Sequence, residues 1–84
     1  MIKRGSRGEE VKSFQGFLIR LGFLSRGSDD GISGPNTIKS IKAYQRACGL
    51  PDDGVAGRMT MKCAADDGWV FEGSPTSAQV EAAN

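Results

Sequence analysis

Residues 29–37 read "DDGISGPNT" and residues 52–60 read "DDGVAGRMT", two near-copies of one phrase in a chain of 84 residues. In register, the shared letters are Asp30-Gly31 with Asp53-Gly54, Ile32 with Val55, Gly34 with Gly57, and Thr37 with Thr60. Each letter has a physical job. An Asp before Gly can close an Asx turn on its own backbone, and Gly accepts the positive φ that such a turn requires. Ile32 and Val55 are single apolar residues among turn formers, expected to plug each loop into the core. The second Gly brings the backbone close at a helix start, where exposed N–H groups also make an anion site. The phrase therefore predicts two tight turns, each leading into a helix.

Reading outward from the first copy, Pro35 suits a first helical position because its missing N–H is not needed there. Ile38, Ile41 and Tyr44 follow at three-residue spacing, and Gly49 can end this second helix. After the second copy, "RMTMKCAADDG" (58–68) reads as a short third helix with Met61 and Ala64 or Cys63 inward, stopped by Gly68. Before the first copy, "SRGEEVKSFQGFLIRLG" (6–22) has Ser6 and Glu9 at capping-box spacing. Its Val11, Phe14, Phe17, Leu18 and Leu21 share one arc, with Ile19 half exposed on the flank. Gly22 is the expected left-handed C-cap, after which Phe23 and Leu24 fold back on the core. Trp69 to Phe71 form a closing flap. From Glu72 the stretch "EGSPTSAQVEAAN" is too small and polar to offset its ordering entropy, and reads as a flexible linker to a further, catalytic domain. The expected fold is all-α: a small three-helix bundle over residues 1–71, with the two Asp-Gly loops preceding helices 2 and 3, and a tail over 72–84.

Composition narrows the chemistry. Eleven Lys and Arg balance ten Asp and Glu, and no basic run exceeds Lys3-Arg4, so no duplex-binding footprint exists and nucleic acid is not expected as a partner. His is absent and the two cysteines lack CxxC spacing, which disfavours a zinc site and a Cys/His nucleophile. Cys48 and Cys63 are expected as reduced core thiols rather than a disulfide, since nothing else marks a disulfide-rich secreted domain. Calcium would need oxygen ligands at alternate positions and a Glu at the twelfth, which neither loop supplies. No metal or cofactor is expected. The start "MIKRGSRGEEV" lacks the apolar run of a signal peptide, and no later run approaches the roughly 20 residues of a membrane span. The expectation is synthesis in the cytoplasm and no membrane partner.

Five separated elements, "GSRGEEVKSFQ", "LGFL", "DGISGPNT", "YQRACGLPDDG" and "GRMT", occur in order over about residues 4–65. Together they resemble the peptidoglycan-binding domain of bacterial cell-wall hydrolases and phage endolysins. The resemblance implies a three-helix bundle that is itself non-catalytic and anchors a hydrolase, such as an endolysin, to bacterial peptidoglycan. It implies a monomer acting at the cell wall, in the periplasm. It further implies that both Asp-Gly loops and the starts of helices 2 and 3 line one shallow groove. The candidate contacts are then Asp30, Asn36, Thr37, Tyr44, Asp53, Arg58 and Thr60, which have donors and acceptors for sugar hydroxyls, N-acetyl groups and stem-peptide carboxylates. Arg58 would pair with a carboxylate. Tyr44 would either stack on a sugar or continue the core face of Ile38 and Ile41, and the spacing favours the core. Gln15 and Gln45 lie beside apolar faces and are expected to bond loop backbone. Ile32, Arg58 and Met61 depart from the family's usual aromatic, Pro, and Trp or Leu.

Two rivals come from other classes. A helix-turn-helix DNA-binding domain is suggested by the short helices and by Lys39, Lys42 and Arg46. The balanced charge and the i, i+3, i+7 spacing of an ordinary solvated face argue against it. A hydrolase would need paired carboxylates, with Glu9, Glu10, Asp30 and Asp53 as candidates. Glu9 and the Asp-Gly carboxylates already have capping and turn roles.

Overall fold

The computed structural model describes residues 1–70, which form α1 (Glu9–Leu21), α2 (Pro35–Ala47) and α3 (Arg58–Asp66). Phe71 of the expected flap and the expected linker over 72–84 lie outside the described residues. The expected helices form within a few residues of their anticipated limits, and α1 and α2 pack directly on each other.

The apolar periodicity becomes the core. Val11, Phe14, Phe17 and Leu18 of α1 are buried against Ile41 and Tyr44 of α2 and Ala64 of α3. The Phe14 ring meets Phe17 at 5.8 Å, Tyr44 at 6.3 Å and Trp69 at 5.1 Å, the last two edge-on, the arrangement that ring quadrupoles favour. Gly22 caps α1 in the left-handed region at φ 87°, and the amides of Phe23 and Leu24 both donate to the carbonyl of Leu18. That turn folds Leu24 into the core and sets Phe23 edge-on to Tyr44 at 5.5 Å. Ile19 is half-buried on the flank, and Leu21 is exposed.

The helix entrances differ from expectation. No capping box forms at α1: Gly8 is its N-cap, and the Ser6 hydroxyl instead accepts the Lys3 amide at 2.9 Å. All three helices begin after a Gly (Gly8, Gly34, Gly57) with no side-chain cap. The N-terminal segment forms a strap that ties together the loops leading into α2 and α3. Ile2 bridges Ala56 through two hydrogen bonds, of 3.0 and 2.7 Å, and Arg7 bridges Ile32. Gly5 donates to the Ser33 carbonyl at 2.9 Å, and the Ser33 amide donates to Ser6 at 2.8 Å.

This strap also corrects the expected apolar plugs. Ile32 is 44% exposed and Val55 only half-buried, whereas Ile2 and Ala56 are completely buried. Extended backbone turns successive side chains to opposite sides. Ser33 points inward beside the strap, so its neighbour Ile32 points out, and Ile2 supplies the apolar mass.

Cys48 and Cys63 form a disulfide, which overturns the expectation of free thiols. The reason is packing: the C-cap of α2 and the middle of α3 meet with a Cα–Cα distance of 6.5 Å, within normal bridging range. Residue counts alone carried no sign of that meeting. Replacing both cysteines with Ala should lower unfolding free energy by about 3 kcal/mol, the chain-entropy value for a loop of this size. Urea denaturation of the oxidised protein and the double variant checks this; coincident midpoints would show that the bridge adds nothing.

Candidate functional site

Each Asp-Gly loop is organised by one buried glutamine. Gln15 projects from α1, accepts the Gly31 amide on Oε1 at 2.8 Å, and donates from Nε2 to the Ile32 carbonyl and the Thr37 hydroxyl, both at 2.9 Å. Gln45 projects from α2 and repeats the pattern, accepting Gly54 at 3.0 Å and donating to the Val55 carbonyl at 2.9 Å and Thr60 at 3.1 Å. The Asp of each loop completes the unit. Asp30 Oδ1 accepts Gln15 at 3.2 Å and the Ile32 amide at 3.0 Å, while Asp53 Oδ1 accepts Gln45 and the Val55 amide, both at 2.9 Å. The Asx turns and the structural role of both glutamines form as expected.

These bonds set the electrostatics. The Ile32 amide first, and then Gln15, hold the Asp30 carboxyl below its ordinary value; the Val55 amide and then Gln45 do the same for Asp53. Among the described residues, the glutamine and loop-amide bonds to each carboxylate fall on Oδ1, and both aspartates are exposed. Tyr44 is buried and donates to Asp67 Oδ2 at 2.7 Å; burial first, and that bond second, push its phenol far above the usual range.

The seven expected contacts therefore divide. Asp30, Asn36, Asp53 and Arg58 are exposed, whereas Thr37, Tyr44 and Thr60 are buried. The expectation that Thr37 and Thr60 are free to touch a ligand is corrected, because both hydroxyls face inward as acceptors for the glutamines. Tyr44 takes the core alternative. The side chains of Asn36 and Arg58 bond to no described residue. Among the aromatics, Phe17 is buried, and Trp69 is half-buried with its indole N–H on the Ser13 hydroxyl at 3.1 Å.

Two open clefts flank this framework. One, of about 410 Å³, is lined by Ser13, Gly16, Phe17, Arg20, Gly68, Trp69 and Val70. The other, of about 250 Å³, is lined by Arg4, Pro35, Ile38, Lys39 and Lys42. It lies between the repeated loops. Arg4 sits on the strap between Ile2, paired to the second loop, and Gly5, bonded to the first. Gly54 presses so closely on α2 that a Cβ there would lie 2.9 Å from Ile38 Cγ2 and 3.1 Å from Lys42 Cε. By their spacing Lys39 and Lys42 read as part of an ordinary solvated face, and Arg4 is not joined to them because it is remote in sequence from α2.

The chain belongs to the peptidoglycan binding domain family, whose pattern matches residues 7–63. It is 36% identical over 66 residues to the N-acetylmuramoyl-L-alanine amidase CwlL of Bacillus licheniformis, covering 77% of this chain and 18% of that protein. It is 40% identical over 60 residues to a spore cortex-lytic enzyme of Bacillus cereus, covering 71% of this chain and 23% of the relative. The chain thus spans about a fifth of the length of these relatives. The crystal structure of the SleB N-terminal domain superposes with a TM-score of 0.74 at 36% identity, covering 79% of this chain and 89% of that one. The protein is accordingly a peptidoglycan-binding module of the kind carried by cell-wall hydrolases, and the module is non-catalytic.

Two outcomes test the loop framework. Gln45→Leu leaves the Gly54 amide and the Val55 carbonyl without their partner and should cost about 3 kcal/mol, measured by urea denaturation; an unchanged midpoint would remove Gln45 from its organising role. Asp30 and Asp53 titrate lower in the fold than the ordinary 3.8, so the stability they contribute is complete above that value and lost as pH falls through the lowered folded values. An Asp30→Asn/Asp53→Asn variant should show a shallower acid loss of stability than the parent, read from denaturation midpoints between pH 7 and about pH 2.

Proposed function

We propose that this module anchors a larger hydrolase to peptidoglycan through the face where the two Asp-Gly loops enter α2 and α3. One observation carries the reading: two glutamine-locked loop-helix junctions, joined by one strap, present the exposed side chains of Asn36 and Arg58 with no partner among the described residues. Peptidoglycan offers sugar hydroxyls, N-acetyl groups and stem-peptide carboxylates, which an amide and a guanidinium can bond. The Oδ2 atoms of Asp30 and Asp53 can accept sugar hydroxyls. Thr37, Thr60 and Tyr44 act from behind, by fixing the loops and the core.

The anchor raises the local concentration of its attached enzyme on a repeating polymer, so modest affinity per site suffices. In the narrower form of the proposal the attached enzyme is a phage endolysin, made in the cytoplasm and acting as a monomer from the periplasmic side. The relatives support a hydrolase parent: one is an amidase and another a cortex-lytic enzyme.

Co-sedimentation with purified insoluble peptidoglycan is the direct test. The 84-residue chain should pellet with the polymer, and Asn36→Ala/Arg58→Ala should weaken association about tenfold with helicity unchanged, since a lost charged hydrogen bond costs about 1.5–3 kcal/mol. Pelleting no better than an unrelated domain of equal size would sink the anchor reading; full binding by the double variant would move the contact face elsewhere. For the hydrolase parent, the full-length protein should clear permeabilised cells while this chain alone leaves turbidity unchanged.

A further inference from the structure

The cleft between the repeats has a chemistry that the loop residues do not. Its floor is apolar, formed by Pro35 and half-buried Ile38, and its rim is cationic, formed by exposed Arg4, Lys39 and Lys42. No carboxylate lines it. The ion pairs among the described residues lie elsewhere, Met1 with Glu10 and Arg46 with Asp52. Lys42 does feel Asp52, whose carboxyl is held low by Arg46 first and by Lys42 to a smaller degree. Arg4 and Lys39 have no such partner among the described residues. The α2 entrance adds to the imbalance: α1 opens on Glu9 and Glu10, whereas the first turn of α2 holds no acidic residue to offset the positive end of its dipole. Three cations around an apolar floor, in a chain of net charge +1, are a local concentration rather than a global excess.

We propose that Arg4, Lys39 and Lys42 form a carboxylate-binding subsite in this cleft, occupied by the free carboxylates of the peptidoglycan stem peptide. The proposal rests on the peptidoglycan-anchor reading and extends it with a second cluster of cations, apart from Arg58, for the peptide. A stem peptide carries its carboxylates on short aliphatic residues, which match a cationic rim over Pro35 and Ile38. The glycan strand, whose lactyl carboxyls are tied up in the amide bonds to the stem peptides, has no charge for the three cations. Each exposed ion pair is weak alone, so the subsite depends on several acting together. Arg4 belongs to the strap and the lysines to α2, so the strap's pairing with both loops assembles the subsite.

The experiment compares three forms of one peptidoglycan preparation from which wall phosphate polymers have been stripped: intact, carboxyl-blocked by amidation, and glycan freed of its peptides with the lactyl carboxylates so exposed likewise amidated. The unmodified 84-residue chain should bind the intact polymer about tenfold more tightly than either other form, with the difference shrinking as salt rises. Arg4→Gln/Lys39→Gln/Lys42→Gln, with its helicity confirmed, should lose most of that preference, keeping only the part that Arg58 supplies. Lys39→Arg/Lys42→Arg should keep the preference. Equal binding of the parent to intact and amidated polymer overturns the subsite while leaving the anchor reading standing. Loss of binding to every form would instead remove the anchor reading itself. Binding only to unstripped wall, or equally to a DNA duplex, would assign the cations to phosphate and also overturn the proposal.

Discussion

The side-chain amide of a glutamine can accept one backbone N–H and donate to carbonyl and hydroxyl oxygens in the same plane, and this fold uses that capacity twice. Gln15 and Gln45 are buried, so any hydrogen bond they failed to make would cost the full desolvation of an amide. Each instead engages the Gly amide, the following carbonyl, the Asp and the Thr of its loop. The loop takes one conformation because others would strand a buried polar group. Gly31 and Gly54 make that conformation accessible, at φ 78° and 76°.

The rest of the architecture follows from loops fixed in this way. Helices whose N-caps are Gly lack the usual side-chain acceptor, and a domain this small has little core with which to compensate. The entrances of α2 and α3 are instead set by the loops that lead into them, which the glutamines hold from α1 and α2. The strap then ties the loops to each other, because its few residues pair with Ala56 at one end and with Ser33 and Ile32 at the other. The disulfide secures the opposite side, joining the end of α2 to α3. Two loops separated by a helix in sequence thus become one surface in space.

How much of this was legible depends on the range of the interaction concerned. The helices were readable because their periodicity, Pro35, Gly22 and the Asp-Gly turns are local signals, and the glutamines were readable because a polar residue on an apolar arc must find a partner. The strap was not readable: Ile2 is one apolar residue in "MIKRGS", and its pairing with Ala56 is purely tertiary. Ser6 and Glu9 have capping-box spacing, yet the Ser6 hydroxyl turns to Lys3 because the chain enters α1 from the strap. Cys48 and Cys63 were misjudged for the same reason, since their approach depends on how α3 docks. Among site residues, position in the repeat identified Asp30, Thr37, Asp53 and Thr60 as special without saying which way they face. The structure turns both threonines inward and leaves both aspartates at the surface.

That inward turn has a consequence for how such a surface can bind. Side chains turned inward to build the loops cannot also reach a ligand, so in the proposed reading recognition falls mainly to residues with little structural duty, and these are free to differ between chains that share the framework. In this chain they are polar or basic and exposed, where a single contact is worth little. Positive and negative charges nearly balance, so long-range attraction contributes little and discrimination must arise within about a Debye length of the surface, roughly 8 Å at physiological salt. A rigid arrangement is what makes weak contacts useful under those conditions. The backbone that carries them is settled before binding, so the loop-ordering part of the cost set against each contact has already been met in folding. The glutamine that holds a loop and the side chain that touches the polymer are therefore distinct residues with linked roles, the first determining how much of the second's interaction energy survives as affinity.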